Sequence, residues 1–148
     1  MRKGFTIIES LIGIAIIAII ATIFVSLFGS FRGTSELTEV HTTIVGMLED
    51  AHARPLAAES NSAHGVHFET ARAVLFRGNS YNASASSNEP YLLPGTVTIS
   101  TISLGGPADV VFTRLVGTTT ASGTITLQSV SDVTRTRTIT ILSTGIVK

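Results

Sequence analysis

The chain has 148 residues, ten basic and ten acidic side chains, no cysteine and 44% hydrophobic content. A net charge of zero supplies no long-range field to draw in nucleic acid, and the lack of cysteine excludes a disulfide framework, a thiolate nucleophile and a soft-metal thiolate site. Charged residues make up 14% of the chain, against about 25% in ordinary soluble domains, and what lies beyond the apolar N-terminus suffices for one small domain with a single core.

The chain opens with Met1-Arg2-Lys3-Gly4, continues with Phe5-Thr6-Ile7-Ile8-Glu9-Ser10 and enters an apolar run from Leu11 to Phe28. Phe5 to Phe28 is 24 residues; as a helix it reaches about 36 Å, enough for a hydrocarbon core of roughly 30 Å. A cleaved secretory signal has an apolar region of only about 7 to 15 residues. Gly13, Ala15, Ala18, Ala21 and Ser26 interrupt the larger side chains and let neighbouring helices approach. Arg2 and Lys3 favour a cytoplasmic N-terminus, with the rest of the chain outside.

An uncleaved signal anchor accounts for all of this except Glu9. A carboxylate within an apolar span costs about 2.5 to 3.5 kcal/mol, although snorkelling near the end of the run lowers that cost. A cut between Gly4 and Phe5 changes the balance. It places a new amino-terminal cation at the head of the helix, where the dipole also favours an acid. An amine on one copy then pairs with Glu9 of the next. The same cut removes Arg2 and Lys3, so ten basic side chains become eight against ten acidic ones and the mature surface is mildly acidic.

Gly4, Phe5 and Glu9 at this spacing, followed at once by the apolar run, resemble the class III leader of type IV pilins and type II secretion pseudopilins. The resemblance implies cleavage after Gly4 by a prepilin peptidase that also N-methylates Phe5. It implies a single-pass helix held in the inner membrane until an assembly platform draws it into a filament with other pilins or pseudopilins, and a head in the periplasm or outside. It also implies a structural subunit, with no enzymatic activity and no cofactor. Many relatives carry a helix-breaking proline late in the apolar run; Ser26 to Phe31 has none.

Beyond the polar exit at Phe31 to Thr34, Leu37, Val40, Ile44, Met47, Leu48 and Ala51 recur at three- and four-residue spacing. This predicts an amphipathic helix continuing the membrane helix as one stem, with Gly29 and Gly33 as weak points. Pro55 should end or kink it near Arg54, with Leu56-Ala57-Ala58-Glu59 able to add a turn. From His64 the hydrophobic period changes to two. Strands are predicted around Val66 and Phe68, Ala73 to Phe76, Val97 to Ile102, Val110 to Phe112, Ile125 and Leu127, Ile139 and Ile141, and Ile146-Val147. Gly78 to Pro94, rich in Ser, Asn and Ala, reads as a long loop. The expected fold class is α+β, a long helix followed by a small, mostly antiparallel sheet. The expected divisions are a leader at 1–4, an assembly helix at 5–30, an amphipathic helix at 31–62 and a β-rich head at 63–148.

The helix carrying Leu48-Glu49-Asp50-Ala51-His52-Ala53-Arg54, a strand ending in Phe112, a glycine loop from Gly117 to Gly123, and an arginine-bearing strand closing at Gly145-Ile146-Val147 follow an order similar to the GspH/FimT group of minor pseudopilins and minor pilins. The usual Ala-Arg pair is here Ala53-Arg54, followed directly by Pro55.

No catalytic constellation stands out. On a strand, His64 and His67 point to opposite faces and cannot share a metal, so both read as surface histidines; His41 and His52 lie too far apart on the helix to chelate together. There is no nucleophile elbow and no phosphate loop. Arg135 and Arg137 flank Thr136 and project from one strand face. They are candidates for a partner pilin or, in a DNA-uptake system, for phosphate; a charged edge strand that resists aggregation is the simpler reading. Asn82-Ala83-Ser84 fits a glycosylation sequon of the sort a Ser/Asn-rich loop contains by chance. Tyr81 and Tyr91 are expected to tuck onto the sheet rather than await a partner.

Overall fold

The computed structural model describes residues 6–57 and 61–148, without the side chains of residues 25–34. The chain divides into an N-terminal unit ending at Gly33 and a second unit, Thr34–Lys148. Helix α1 spans Ile7–Leu56, its backbone helical through Gly29 and Gly33. Its C-terminal end is set by Pro55, whose ring nitrogen has no proton to give the Ala51 carbonyl. The last helical bond runs from the Ala57 amide to the Ala53 carbonyl at 3.0 Å, and the Pro55 carbonyl accepts from the Leu115 amide at 3.2 Å. The helix thus ends two residues beyond the expected Arg54; the possible further turn at Ala58-Glu59 lies outside the described residues.

Seven strands follow: β1 His64–Glu69, β2 Arg72–Arg77, β3 Glu89–Leu92, β4 Val97–Leu104, β5 Asp109–Phe112, β6 Gly123–Ser129 and β7 Thr136–Ile141. They form two sheets, β3-β2-β1-β5 and β4-β6-β7, with every pairing antiparallel. The class is α+β, as the periodicity indicated.

The expected loop from Gly78 to Pro94 contains a strand. In β3, Ala73 pairs with Tyr91 and Val74 with Pro90. Proline cannot donate to a ladder, so it is confined to edge strands; β3 is the outer strand of its sheet, and its proline and polar flanks hid it from a periodicity search. The expected Ile146-Val147 strand shrinks to a bridge between Val147 and Ile141, flanked by paired bonds of 2.8 and 2.9 Å between Thr140 and Lys148.

Thr34–Lys148 has one core. From α1 it takes Leu37, Val40, Ile44, Leu48 and Ala51, with Met47 packed against them. These are the residues of the amphipathic stripe. The sheets supply Val66, Phe68, Leu75, Val110 and Phe112 from one and Ile99, Ile125, Leu127, Ile139 and Ile141 from the other. In the smaller sheet β6 and β7 alternate, whereas β4 has an irregularity between Ile99 and Thr101; on the face away from the core Thr124, Thr126 and Gln128 pair with Thr140, Thr138 and Thr136. Threonine suits such a half-buried pleated face, which explains its abundance here without any catalytic role.

The C-terminal end of α1 is closed by two glycines. Gly117 (φ +70°) and Gly145 (φ +87°) sit against His52, whose ring also meets Phe112 edge-on with centroids 5.3 Å apart. A Cβ on Gly117 would lie 2.5 Å from His52 Nε2, and one on Gly145 would overlap the Gly117 carbonyl. Both sites therefore combine left-handed backbone with a lack of room.

Leu48→Ala should lower the stability of the head by about 2 to 5 kcal/mol, the usual cost of emptying a buried leucine site. Gly145→Ala should destabilise despite adding only a methyl. Thermal unfolding of the full chain in detergent, followed by near-ultraviolet circular dichroism, measures both; a neutral Gly145→Ala would contradict the packing described.

Candidate functional site

Gly4 and Phe5, the expected cleavage and methylation pair, lie outside the described residues. Glu9 lies within them, in the first turn of α1, fully accessible and outside the head core. Its backbone amide donates to Thr6 Oγ1 at 3.3 Å, and the Ser10 amide donates to the Thr6 carbonyl at 3.2 Å. Thr6 is therefore the N-cap, with Glu9 three residues on. Thr6-Ile7-Ile8-Glu9 has the spacing of a capping box, in which the acid complements the free amides of the first turn. The spacing reading of Glu9 overlooked this local role, although Ser/Thr followed three residues later by Glu is a recognisable sequence signal.

Below the cap, Ile7–Phe24 forms an 18-residue stretch of mean hydropathy 2.6 with none of its surface covered. Ile7 is 84% exposed and Ile17 68%. An exposed apolar band of this length suits lipid or the surfaces of other helices. Gly13 has open space around the position of a missing Cβ, and the Thr22 hydroxyl returns to the Ile19 carbonyl at 2.7 Å, so no polar group but Glu9 and Ser10 breaks the early part of this surface. Chemically, the segment is a capped apolar rod bearing one carboxylate.

The head holds polar clusters with structural tasks. Arg54, in the last turn of α1, donates to Asp50 at 2.7 Å and to Glu89 of β3 at 2.6 Å. Hydrogen bonds to Glu89, then to Asp50, raise its pKa further above the ordinary arginine range. The Arg54 fork thereby fastens the edge strand β3 to the helix, a link across 35 residues that no local pattern announces. His64 is buried, at 2% exposure, rather than superficial, because it lies on the same face of β1 as the core residues Val66 and Phe68. His67 is half-buried, its Nδ1 2.5 Å from Asp109 Oδ1 and its Nε2 3.5 Å from Glu69. Tyr81 stacks on it with centroids 4.0 Å apart and also meets Phe76 edge-on, while Tyr91 packs against the core. Both tyrosines hold their segments onto the sheet. Asn82, in the sequon, accepts the Ser84 amide through its side-chain oxygen at 3.0 Å, an ordinary turn contact.

The two arginines of the last strand are not equivalent. Arg135 precedes β7 and its Nε donates to Asp132 at 2.9 Å. Arg137 lies within β7 opposite Leu127, exposed and without an ion pair among the described residues. Asp132 is held below the ordinary carboxylate range by Thr134, through its hydroxyl and then its amide, and to a lesser degree by Arg135. Among the described residues no three His, Asp or Glu side chains group as metal ligands.

Glu69 gives a pH test of the described electrostatics. Arg72 donates to it through Nε at 2.9 Å and Nη2 at 2.6 Å, and this holds the carboxyl below its ordinary value near 4.5. A depressed folded value means that the pair supports the β1–β2 turn above the unfolded pKa and ceases to do so as pH falls through the folded one. Carbon-detected NMR titration should place the Glu69 midpoint below that of an exposed glutamate, and Arg72→Gln should return it upward.

Comparison with known families places this geometry. The profile of the prokaryotic N-terminal methylation motif matches residues 1–25, a span that includes Gly4, Phe5, Thr6, Glu9 and most of the apolar run. No curated protein and no solved structure matches the chain. The N-terminus therefore carries a type IV pilin-like prepilin signal, joined to an apolar helix that fits anchorage in the inner membrane.

Proposed function

We propose that this chain is a structural minor subunit of a type II secretion or type IV pilus filament, similar to the GspH/FimT group. It is cut after Gly4 by prepilin peptidase and methylated on Phe5. It waits in the inner membrane with its N-terminus in the cytoplasm and its head in the periplasm. The leader at 1–4, the assembly helix at 5–30, the amphipathic stem at 31–62 and the head at 63–148 are its working parts. The observation that carries this reading is the juxtaposition in one segment of a methylation motif, an exposed apolar surface and a single acid in the first helical turn. In a filament that surface is covered by other helices, and Glu9 pairs with the Phe5 amine of its neighbour. A carboxylate removed from water needs such a partner, since loss of one member of a buried pair costs about 3 to 5 kcal/mol.

A DNA-uptake minor pilin is the second reading. It rests on Arg137, because Arg135 is engaged by Asp132, and one exposed arginine without an aromatic platform is a weak anchor for DNA. It calls for salt-sensitive DNA affinity that Arg137→Gln reduces.

Mass spectrometry of protein from its native membrane should find methylphenylalanine at the N-terminus; an intact Met1 start would overturn the proposal. Glu9→Gln should lower co-assembly with partner pilins by roughly tenfold or more, given the size of a lost buried pair. Glutamine still satisfies a capping box, so the helix itself should be spared. Thr6→Ala, which removes the cap at a cost of about 1 kcal/mol, should weaken the first turn and leave assembly largely intact.

A further inference from the structure

The loop between β5 and β6 presents a feature that the head has no internal use for. Leu115 adopts φ +67°, a left-handed conformation that disfavours a leucine, yet its side chain is 61% exposed. It is held there by its amide bond to the Pro55 carbonyl and by the Gly117 amide returning to Thr113 at 2.9 Å. Glycine or asparagine would occupy this backbone position with less strain. Val116, which follows Leu115, is 67% exposed, and Ile146, which follows Gly145, is 53% exposed. Leu56, 44% exposed, approaches the Gly117 position. Gly117 and Gly145 bring their two loops together beside His52 and Leu56 near the C-terminal end of α1, and we refer to the exposed apolar residues of this region as the Leu115 knob. Arg114, exposed and without an ion pair among the described residues, stands beside it.

At the other end of the head's share of α1 lies a surface of opposite character. A cavity of about 320 Å³ is walled by Val40, Tyr91, Leu92 and Pro94 and rimmed by Glu36 and Glu39. Leu92 is 71% exposed. Apolar side chains and two carboxylates share this surface, and the carboxylates complement the charge of Arg114.

We propose that the Leu115 knob of one copy docks into the Tyr91–Leu92 cavity of a second copy, with Arg114 against Glu39. Knob and cavity are different patches at opposite ends of one helical segment. The contact is therefore heterologous and leaves one knob and one cavity open rather than closing a dimer. The apolar contact supplies burial and the charge pair fixes orientation. The contact also accounts for a strained leucine facing solvent. It names a head contact for the filament subunit proposed above and rests on that reading for its setting, but its test does not depend on leader processing.

The chain has no cysteine, so every thiol in the experiment is an introduced one. Full-length Leu115→Cys and Leu92→Cys chains carrying different tags are co-expressed and oxidised in the native membrane. A 115–92 disulfide between tags is expected, well above that formed by a Thr138→Cys control on the outer sheet face. Arg114→Glu should reduce the yield by roughly tenfold, the scale of opposed like charges at an interface, and Glu39→Arg in the partner should restore it. A dominant 115–115 disulfide, a yield no higher than the control, or indifference to Arg114→Glu each overturns the proposal. Methylated Phe5 without the 115–92 bond removes this contact alone; the bond with an intact Met1 removes the filament reading and leaves the contact standing.

Discussion

The head depends on the burial of a single helical stripe. Leu37, Val40, Ile44, Leu48 and Ala51 enter the same buried cluster as residues of both sheets. Neither sheet buries its apolar face alone: one has four strands and the other three, and small twisted sheets need a layer to cover them. Remove the stripe and both lose their common partner. The polar contacts act within that frame. Arg54 fastens β3, His67 and Tyr81 hold the 78–88 segment, and Pro55 fixes where the helix meets the β5–β6 loop.

Much of this was legible in the sequence because the signals were periodic. The three- and four-residue recurrence marked the helical stripe, and the change to a period of two at His64 marked the start of the sheets. What was not legible involved long-range pairing. β3 was missed because Pro90 and the neighbouring Ser and Asn suggest a loop, and only its pairing with β2 makes it a strand. The separation into two sheets depends on which strands meet, which alternation does not encode. His64 was taken for a surface residue from its polarity, although alternation puts it on the face of Val66 and Phe68, which is the buried one.

The candidate site was legible for a different reason. It is local: a few residues at fixed spacing before an apolar run, the part of the chain that a family profile also recognises. The capping relation of Thr6 to Glu9 was equally local and was passed over because the acid had already been given a long-range role. The capping role and the pairing role proposed for Glu9 are compatible, because the cap leaves the carboxylate exposed.

The order in which the core residues occur along the chain has a consequence for biogenesis. The stripe from Leu37 to Ala51 lies near the N-terminus, whereas β6 and β7, which help to cover it, lie some 70 to 100 positions later. Such non-local pairing closes slowly, and a chain grows at only about 5 to 20 residues per second. During that interval an amphipathic helix, just downstream of a segment suited to lipid, has no protein to cover its greasy side. The headgroup boundary of the bilayer suits such a helix.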